Sequence, residues 1–375
     1  MKITKFSFDN KHTGWKLVDT DFHPHLNLLV GASGVGKTKI LNALKMAIST
    51  AKGTRFSMLF DTKWQLNFDL DDVTNCEWAI EFSAQKGDKN GSEMPLIINE
   101  SLIINNETIF KRDKNNTYFK DKPTLNLNRE ESLINVLQDE TPVNDIHTAF
   151  VNHSDTLTSV RYFNNDYNQS AEFFTKTLGE LTANYTNIED IRNSNQPVWT
   201  KLALLYLVDL QDFKQLENIF IDVFPSVESI KFDVAYDERY TLFFIKEKGV
   251  KKWISQDEVS AGMFKTFVEL GRVYLSPDNS LIMIDEFENS LGVNCIDAVT
   301  ESIINSNRNN QFIITSHHPY IINNISVKNW KIVSREGGLV RTHAASEFGI
   351  GQSRLSAFME LQQLDVFLTG SESIV

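Results

Sequence analysis

The chain has 375 residues, of which 41% are hydrophobic and 23% charged, and a formal net charge of −12 at pH 7. This is ordinary globular chemistry for one large α/β domain or one domain plus an inserted lobe. It excludes wholesale disorder and gives no domain-wide basic field for nucleic acid, although a local basic groove would still allow such contact. Cys76 and Cys295 stand far apart, so neither a disulfide framework nor a zinc site is indicated. No run approaches the roughly 18 apolar residues of a membrane span and no apolar signal region opens the chain, so a soluble, cytoplasmic protein is expected.

Along the chain, residues 1–30 read as strands. Lys2 to Phe8 alternates polar and apolar residues, and Leu26 to Val30 is a short apolar run ending at Gly31, as a buried central strand entering a tight loop would be. Ile40, Leu41, Leu44 and Ile48 have helical spacing. Residues 64–120 form a strand-rich stretch in which Trp78, Ile80 and Phe82 alternate with polar neighbours and Asn105-Asn106 marks a hairpin. Residues 86–92 read as an exposed turn, residues 132–137 start a helix, and residues 159–163 read as a strand. Residues 166–225 are mostly helical in period. Strands return over 228–246 with a turn at 236–239. From 258 onward helix and strand alternate, the mark of a parallel sheet with crossover helices. Residues 353–367 close the chain with a helical stripe of Leu355, Phe358, Met359, Leu361 and Leu364, which either packs on its own domain or docks a partner. The expected division is residues 1–165, a helical insertion at 166–227, and residues 228–375.

Four motifs carry chemistry. Gly31-Ala32-Ser33-Gly34-Val35-Gly36-Lys37-Thr38 fills every position of a phosphate-binding loop, in strand–loop–helix context. Its glycines let backbone N–H groups converge on phosphate oxygens at a helix N-terminus. Lys37 would reach the β- and γ-phosphates of ATP, and the Thr38 hydroxyl would ligate Mg²⁺. A Gly-rich turn that merely joins strand to helix rarely matches all eight positions. Leu281 to Ile284 is an apolar strand ending in Asp285 and Glu286, where open α/β sheets bind ligands. Asp285 fits a Mg²⁺-holding role and Glu286 a water-polarising base; alone, the pair would read equally well as solvated turn acids. Phe312 to Thr315 is a further apolar strand, followed by Ser316-His317-His318-Pro319. It places His317 to contact the γ-phosphate, with His318 as a bystander. Finally, Ser260-Ala261-Gly262 opens a helical run, an anion-binding arrangement, though Ser is also a common N-cap.

The order of these pieces resembles the ABC-type ATPases, and most closely the soluble branch that includes the SMC proteins and the overcoming-lysogenization-defect (OLD) ATPases. The resemblance covers residues 1–50 and 255–330. It implies an ABC-type head with a mostly parallel central sheet, an antiparallel strand-rich lobe and a helical insertion. Ser260 and Gly262 then fall in the signature, Asp285-Glu286 in Walker B, Asn289 and Ser290 in the D-loop, and His317 at the switch. The signature reads Val-Ser-Ala-Gly-Met, which speaks against a transporter subunit, and Gly292-Val293 stands where the branch has His-Pro. For the Q-loop, Gln65, Gln169 and Asn164-Asn165 all remain candidates. No zinc-hook cysteines or long coiled coil are present, which argues against a chromosome-tethering member.

The resemblance further implies that two subunits sandwich two ATP molecules, with Ser260 and Gly262 of one facing the γ-phosphate held by Lys37 of the other, and with higher assembly left open. Members of the OLD branch often carry a fused Toprim nuclease. Residues 320–375 are too few for that domain and lack its acidic cluster. The expectation is an ATPase that gates a separate effector, a nuclease or toxin, in defence against phage or plasmids. The alternative is an SMC-like DNA-binding ATPase in repair or chromosome maintenance.

Overall fold

The computed structural model describes residues 1–83, 94–124, 127–152, 154–156, 173–174, 182–234, 240–289, 291–306, 308–351 and 354–371. The chain forms two compact units. One comprises Met1–Leu157, Asn279–Glu286 and Asn309–Val375; the other comprises Thr158–Asp278 and Phe287–Arg308.

The first unit is built on a 14-stranded sheet. In spatial order its strands are Ser154–Thr156, Leu281–Ile284, Gln311–Thr315, Leu26–Val30, Trp330–Glu336, Leu339–Ala344, Trp15–Asp21, Lys2–Asn10, Thr62–Asp69, Asn75–Phe82, Ile97–Ile104, Glu107–Arg112, Thr117–Phe119 and Lys122–Thr124. The first five pair in parallel. Leu26–Val30, Leu281–Ile284 and Gln311–Thr315 are buried at every position, which is why they read as mainly apolar runs rather than alternating ones, with Asn27, Gln311 and Thr315 as buried polar exceptions.

Trp330–Glu336 turns back antiparallel into Leu339–Ala344, which pairs in parallel with Trp15–Asp21 and so joins the parallel half to an antiparallel meander. There the sequence alternates. In Thr62–Asp69 the side chains of Trp64, Leu66 and Phe68 are buried and their neighbours are not. The buried face packs on two helices. Lys37–Ala51 contributes Ile40, Leu41, Leu44 and Ile48, and Val143–Asn152 contributes Ile146 and Phe150, whose ring lies 5.2 Å from that of Phe68. The hairpin expected at Asn105-Asn106 is present, with both residues at positive φ (48° and 68°), the conformation a two-residue hairpin turn demands.

The second unit has a small sheet in which Tyr240–Glu247 lies between Phe173–Phe174 and Val227–Val234 and also pairs with Ile254–Ser255. Against it pack the helices Val198–Val208, Leu210–Val223 and Ala261–Leu275. Trp199, Phe213, Phe220, Phe232, Phe243, Phe264 and Phe267 form a continuous ring cluster, with Phe243 and Phe267 stacked at 4.8 Å. The buried carboxylate of Glu217 accepts a hydrogen bond from the N–H of Ile230 at 2.6 Å, satisfying a donor on the edge strand Val227–Val234. The helix Ala261–Leu275 runs close to its neighbour at Gly271, where a Cβ would lie 2.6 Å from Leu202 Cδ2.

Several expectations meet different outcomes. Within the stretch read as helical, Phe173–Phe174 is a strand, and the described helices run from Ile188 to Val223. The terminal helix is two, Arg354–Gln363 and Asp365–Thr369, broken at Leu364. Of its stripe, Leu361 is buried, Phe358 and Leu364 are half-buried and Met359 is 60% exposed; Ala357 and Val366 beside it are buried. Trp330–Glu336 and Leu339–Ala344 have no counterpart in the sequence-based expectations. The strand at 159–163 and the turns at 86–92 and 236–239 lie outside the described residues. Among the described residues no helix is long and apolar enough to cross a membrane.

Candidate functional site

The loop after Leu26–Val30 takes its shape from glycine. Gly31, Gly34 and Gly36 have φ of 151°, 84° and 111°, where a side chain is strained. Gly31 is closed to larger residues a second time, because a Cβ there would lie 2.7 Å from the carbonyl oxygen of Val333. Lys37 is the first residue of the helix Lys37–Ala51 and is 6% exposed. Its ammonium donates to the carbonyls of Gly31 (2.8 Å) and Ala32 (2.9 Å), folding over the loop it follows. A 15-residue helix begins here, and its first N–H groups have no partner within the helix. Those donors and the positive end of the helix dipole suit this loop to an anion.

The carboxylates arrive on the parallel sheet. Asp285 and Glu286 leave the C-terminal end of Leu281–Ile284, and Thr315 ends the neighbouring strand. The hydroxyls of Thr38 (3.1 Å) and Thr315 (2.7 Å) both donate to Oδ1 of Asp285, and Thr315 Oγ1 accepts from the N–H of Glu286 at 2.8 Å. Glu286 has φ of 47°, a left-handed conformation costly for a residue with a Cβ, and is exposed. One buried threonine thus ties down both acids. The motifs in the sequence pass over Thr315, although it stands immediately before Ser316-His317 on the adjacent apolar strand.

The two oxygens of Thr38 and Asp285 fit a divalent cation. Mg²⁺ holds oxygens at about 2.0–2.1 Å in an octahedron, so neighbouring ligands stand about 2.9 Å apart, close to the 3.1 Å found here. No cluster of three or more His, Cys, Asp or Glu side chains suited to a metal occurs among the described residues. A cation here would depend on this pair and on ligand oxygens.

His317 is exposed, two residues beyond Thr315. His318 serves the backbone. Its Nδ1 accepts from the N–H of Tyr320 at 3.3 Å and so caps Pro319–Asn324.

In the second unit, Ser260 Oγ accepts from the N–H of Met263 at 3.2 Å and caps the helix Ala261–Leu275. Gly262 lies in its first turn, and its carbonyl accepts from Thr266 Oγ1 at 2.7 Å. Lys265, 4% exposed on the same helix, donates its ammonium to the carbonyl of Asn289. The helix that carries Ser260 and Gly262 is therefore bonded directly to Asn289. The sequence signal for Lys265 is a cation at the second position of the helical run Phe264 to Tyr274, which carries Arg272 as well. Ser290, Gln169 and Asn164-Asn165 lie outside the described residues.

Gln65 sits elsewhere. It lines a groove of about 590 Å³ on the antiparallel strands, with Lys63, Glu81, Asn99, Ser101 and Lys111 alongside apolar residues such as Trp64 and Ile80, and bonds Asn67 at 3.3 Å.

Comparison with known proteins fits this arrangement. Residues 26–323 match the family model described as "AAA domain, putative AbiEii toxin, Type IV TA system". Among solved structures, the chain is similar to an SMC head bound to the C-terminal winged-helix domain of ScpA, at 14% identity and a TM-score of 0.50, covering 92% of this chain and 97% of that one. It is also similar to the Smc head with an extended coiled coil, bound to the C-terminal domain of ScpA, from Pyrococcus furiosus. That match has 12% identity and a TM-score of 0.50, and covers 96% of this chain and 100% of that one. No curated protein matches. The fold is that of an ABC-type P-loop ATPase head of SMC-like kind.

Proposed function

The chain belongs to this family of AAA ATPase domains, and from that premise we propose that it hydrolyses ATP between two copies of itself and thereby gates a separate effector protein in a defence system. The bonded chain from Thr38 through Asp285 and Thr315 to Glu286 carries the proposal. It sets a hydroxyl, a carboxylate suited to a divalent cation and an exposed second carboxylate beside the glycine-rich loop.

The roles follow from placement. The loop 31–38 and the helix N-terminus bind the phosphates, and Lys37 exchanges its carbonyl partners for the β- and γ-phosphate oxygens. Thr38 and Asp285 hold Mg²⁺, which neutralises charge on the phosphates when bound. Glu286 orients and polarises the attacking water. Its left-handed backbone, fixed by Thr315, directs it away from the path of the strand. His317 contacts the γ-phosphate. From a second copy, Ser260 and Gly262 close over the same phosphate, with Asn289 and Ser290 at the seam. Little covalent chemistry is asked of the protein; positioning and charge neutralisation suffice.

The effector reading is subtractive. The ATP site accounts for the motifs that carry chemistry, and no metal cluster stands elsewhere among the described residues. The family's description names a toxin–antitoxin setting, which supports defence rather than transport. The second reading, a DNA-handling ATPase of repair or chromosome maintenance, draws on the likeness of fold to SMC heads, and the net charge of −12 weighs against it.

The test uses Glu286→Gln, which keeps the side chain's shape but cannot polarise water. With ATP and Mg²⁺ this variant should assemble more tightly than the parent and hydrolyse about a hundredfold more slowly, the lower end of what general-base catalysis contributes. Parental turnover would place the base elsewhere. Mg²⁺-dependent DNA or RNA cleavage by the isolated chain would overturn the separate effector.

A further inference from the structure

The segment from Trp330 to Gly370 contributes none of the phosphate-loop or acid motifs, yet it surrounds the phosphate loop from behind. Trp330–Glu336 pairs with the strand that enters the loop, with Ile332 opposite Val30. The Val333 carbonyl blocks any Cβ at Gly31, and Val340 lies 3.3 Å from where a Cβ on Gly36 would be. Arg335 is the joint. Its Nη1 donates to the carbonyl of Gly34 at 3.1 Å, its Nε donates to the carbonyl of Gly337 at 2.7 Å, and its backbone N–H donates to the carbonyl of Gly370 at 2.7 Å. Gly370 is itself buried at φ 79°, ends the helix Asp365–Thr369, and packs so closely that a Cβ there would collide with Val35 Cγ1.

We propose that Arg335 is a positioning residue for nucleotide, and that with Gly370 it forms a latch by which the C-terminal segment holds the phosphate loop in its binding conformation. The physical reason is the loop itself. Three glycines with positive φ lose much conformational entropy when held in one shape. Gly34 is the most open of them, with no heavy atom within 4 Å of a Cβ position. A guanidinium on its carbonyl fixes the peptide that follows, whose N–H must face phosphate. Because the same arginine's backbone carries Gly370, docking of the residue 365–371 segment and order in the loop are linked, and by reciprocity bound nucleotide holds that segment down. Arg335 acts on the loop and not on the reacting atoms, so its loss weakens binding and leaves the chemical step at saturation nearly intact.

This rests on the ATP-binding reading, and the experiment separates the two. Binding of a fluorescent ATP analogue with Mg²⁺ is measured for the parent, Arg335→Met, Arg335→Lys and Gly370→Ala, with melting temperatures taken without nucleotide. Arg335→Met should bind about tenfold more weakly, with kcat within about threefold of the parent, as the loss of one hydrogen bond to the loop implies; Gly370→Ala, whose Cβ would lie 2.3 Å from Val35 Cγ1, should also weaken binding by displacing the segment from the loop. Arg335→Lys, which can still donate to Gly34, should recover most of the affinity. In hydrogen exchange on the parent, nucleotide should increase protection of residues 365–371, and Arg335→Met should lose that increase. A parent that binds no nucleotide overturns the ATP reading and the latch with it. A parent that binds, alongside a folded Arg335→Met of equal affinity, overturns the latch alone, as does unchanged protection of residues 365–371.

Discussion

Replacing Thr315 by valine removes one hydroxyl and keeps the branched shape of a residue that is 1% exposed. Two bonds go with it: a donation to the Asp285 carboxylate at 2.7 Å and an acceptance from the Glu286 N–H at 2.8 Å. A hydrogen bond to a charged group contributes about 1.5–3 kcal/mol and a neutral one about 1 kcal/mol. Asp285 keeps Thr38, so a loss of about 2 kcal/mol is expected. At roughly 2 °C per kcal/mol for a large chain, melting should fall by about 4 °C. The larger effect is on turnover. Glu286 holds a left-handed backbone that costs about 1–2 kcal/mol, and Thr315 is its anchor. If about 2 kcal/mol is lost from positioning of the acid, kcat falls about thirtyfold, since roughly 1.36 kcal/mol is a factor of ten. ATP affinity should change less than about threefold, because the phosphate loop is untouched. Steady-state phosphate release and titration with a fluorescent ATP analogue read the two quantities, and Thr315→Ser, which keeps the hydroxyl, serves as control. Turnover of Thr315→Val within about threefold of the parent would refute the anchoring role.

Lys37→Ala removes the charge that faces the phosphates and should abolish nucleotide binding; normal turnover would sink the site assignment. Gly262→Asp places a negative charge where the proposed sandwich would bring the partner's γ-phosphate, so ATP should still bind while hydrolysis fails. Turnover that is unaffected by this change and independent of protein concentration would mean that each copy works alone. Gly271→Ala drives a methyl into Leu202 and should destabilise the second unit by about 1–3 kcal/mol. Leu202→Val in the same chain should recover part of that in a denaturant titration, and additive losses from the pair would show that the collision is not the cause.

The phosphate loop and the Leu281–Glu286 segment are legible in the sequence because each is a local pattern: backbone freedom at fixed offsets, or an apolar run ending in acids. Thr315 is not, since its importance comes from a neighbour 30 residues away in sequence, on a strand that pairs in parallel with its own. The Trp330–Glu336 strand is hidden for a different reason. Lys331 and Arg335 break its apolar run, yet Lys331 is 7% exposed and its aliphatic stem is buried with the rest. The amphipathic stripe near the C-terminus is visible, but its break at Leu364 and the close approach of Gly370 to Val35 depend on packing that no period announces.

The place of Trp330–Ala344 in the sheet also constrains how the chain is made. Ile332 pairs with Val30 and Val340 with Leu17, across about three hundred residues. Until they emerge from the ribosome, Leu26–Val30 and Trp15–Asp21 each lack their partner on that side. The backbone also passes between the two units four times, after residues 157, 278, 286 and 308, so neither unit is a continuous stretch of chain. Long loops must close before these contacts form, which slows folding and leaves strand edges open to other chains. A synthesis arrest or frameshift before Trp330 would therefore release a product with two unsatisfied interior edges, and such fragments should be found with chaperones or in aggregates rather than as smaller working ATPases.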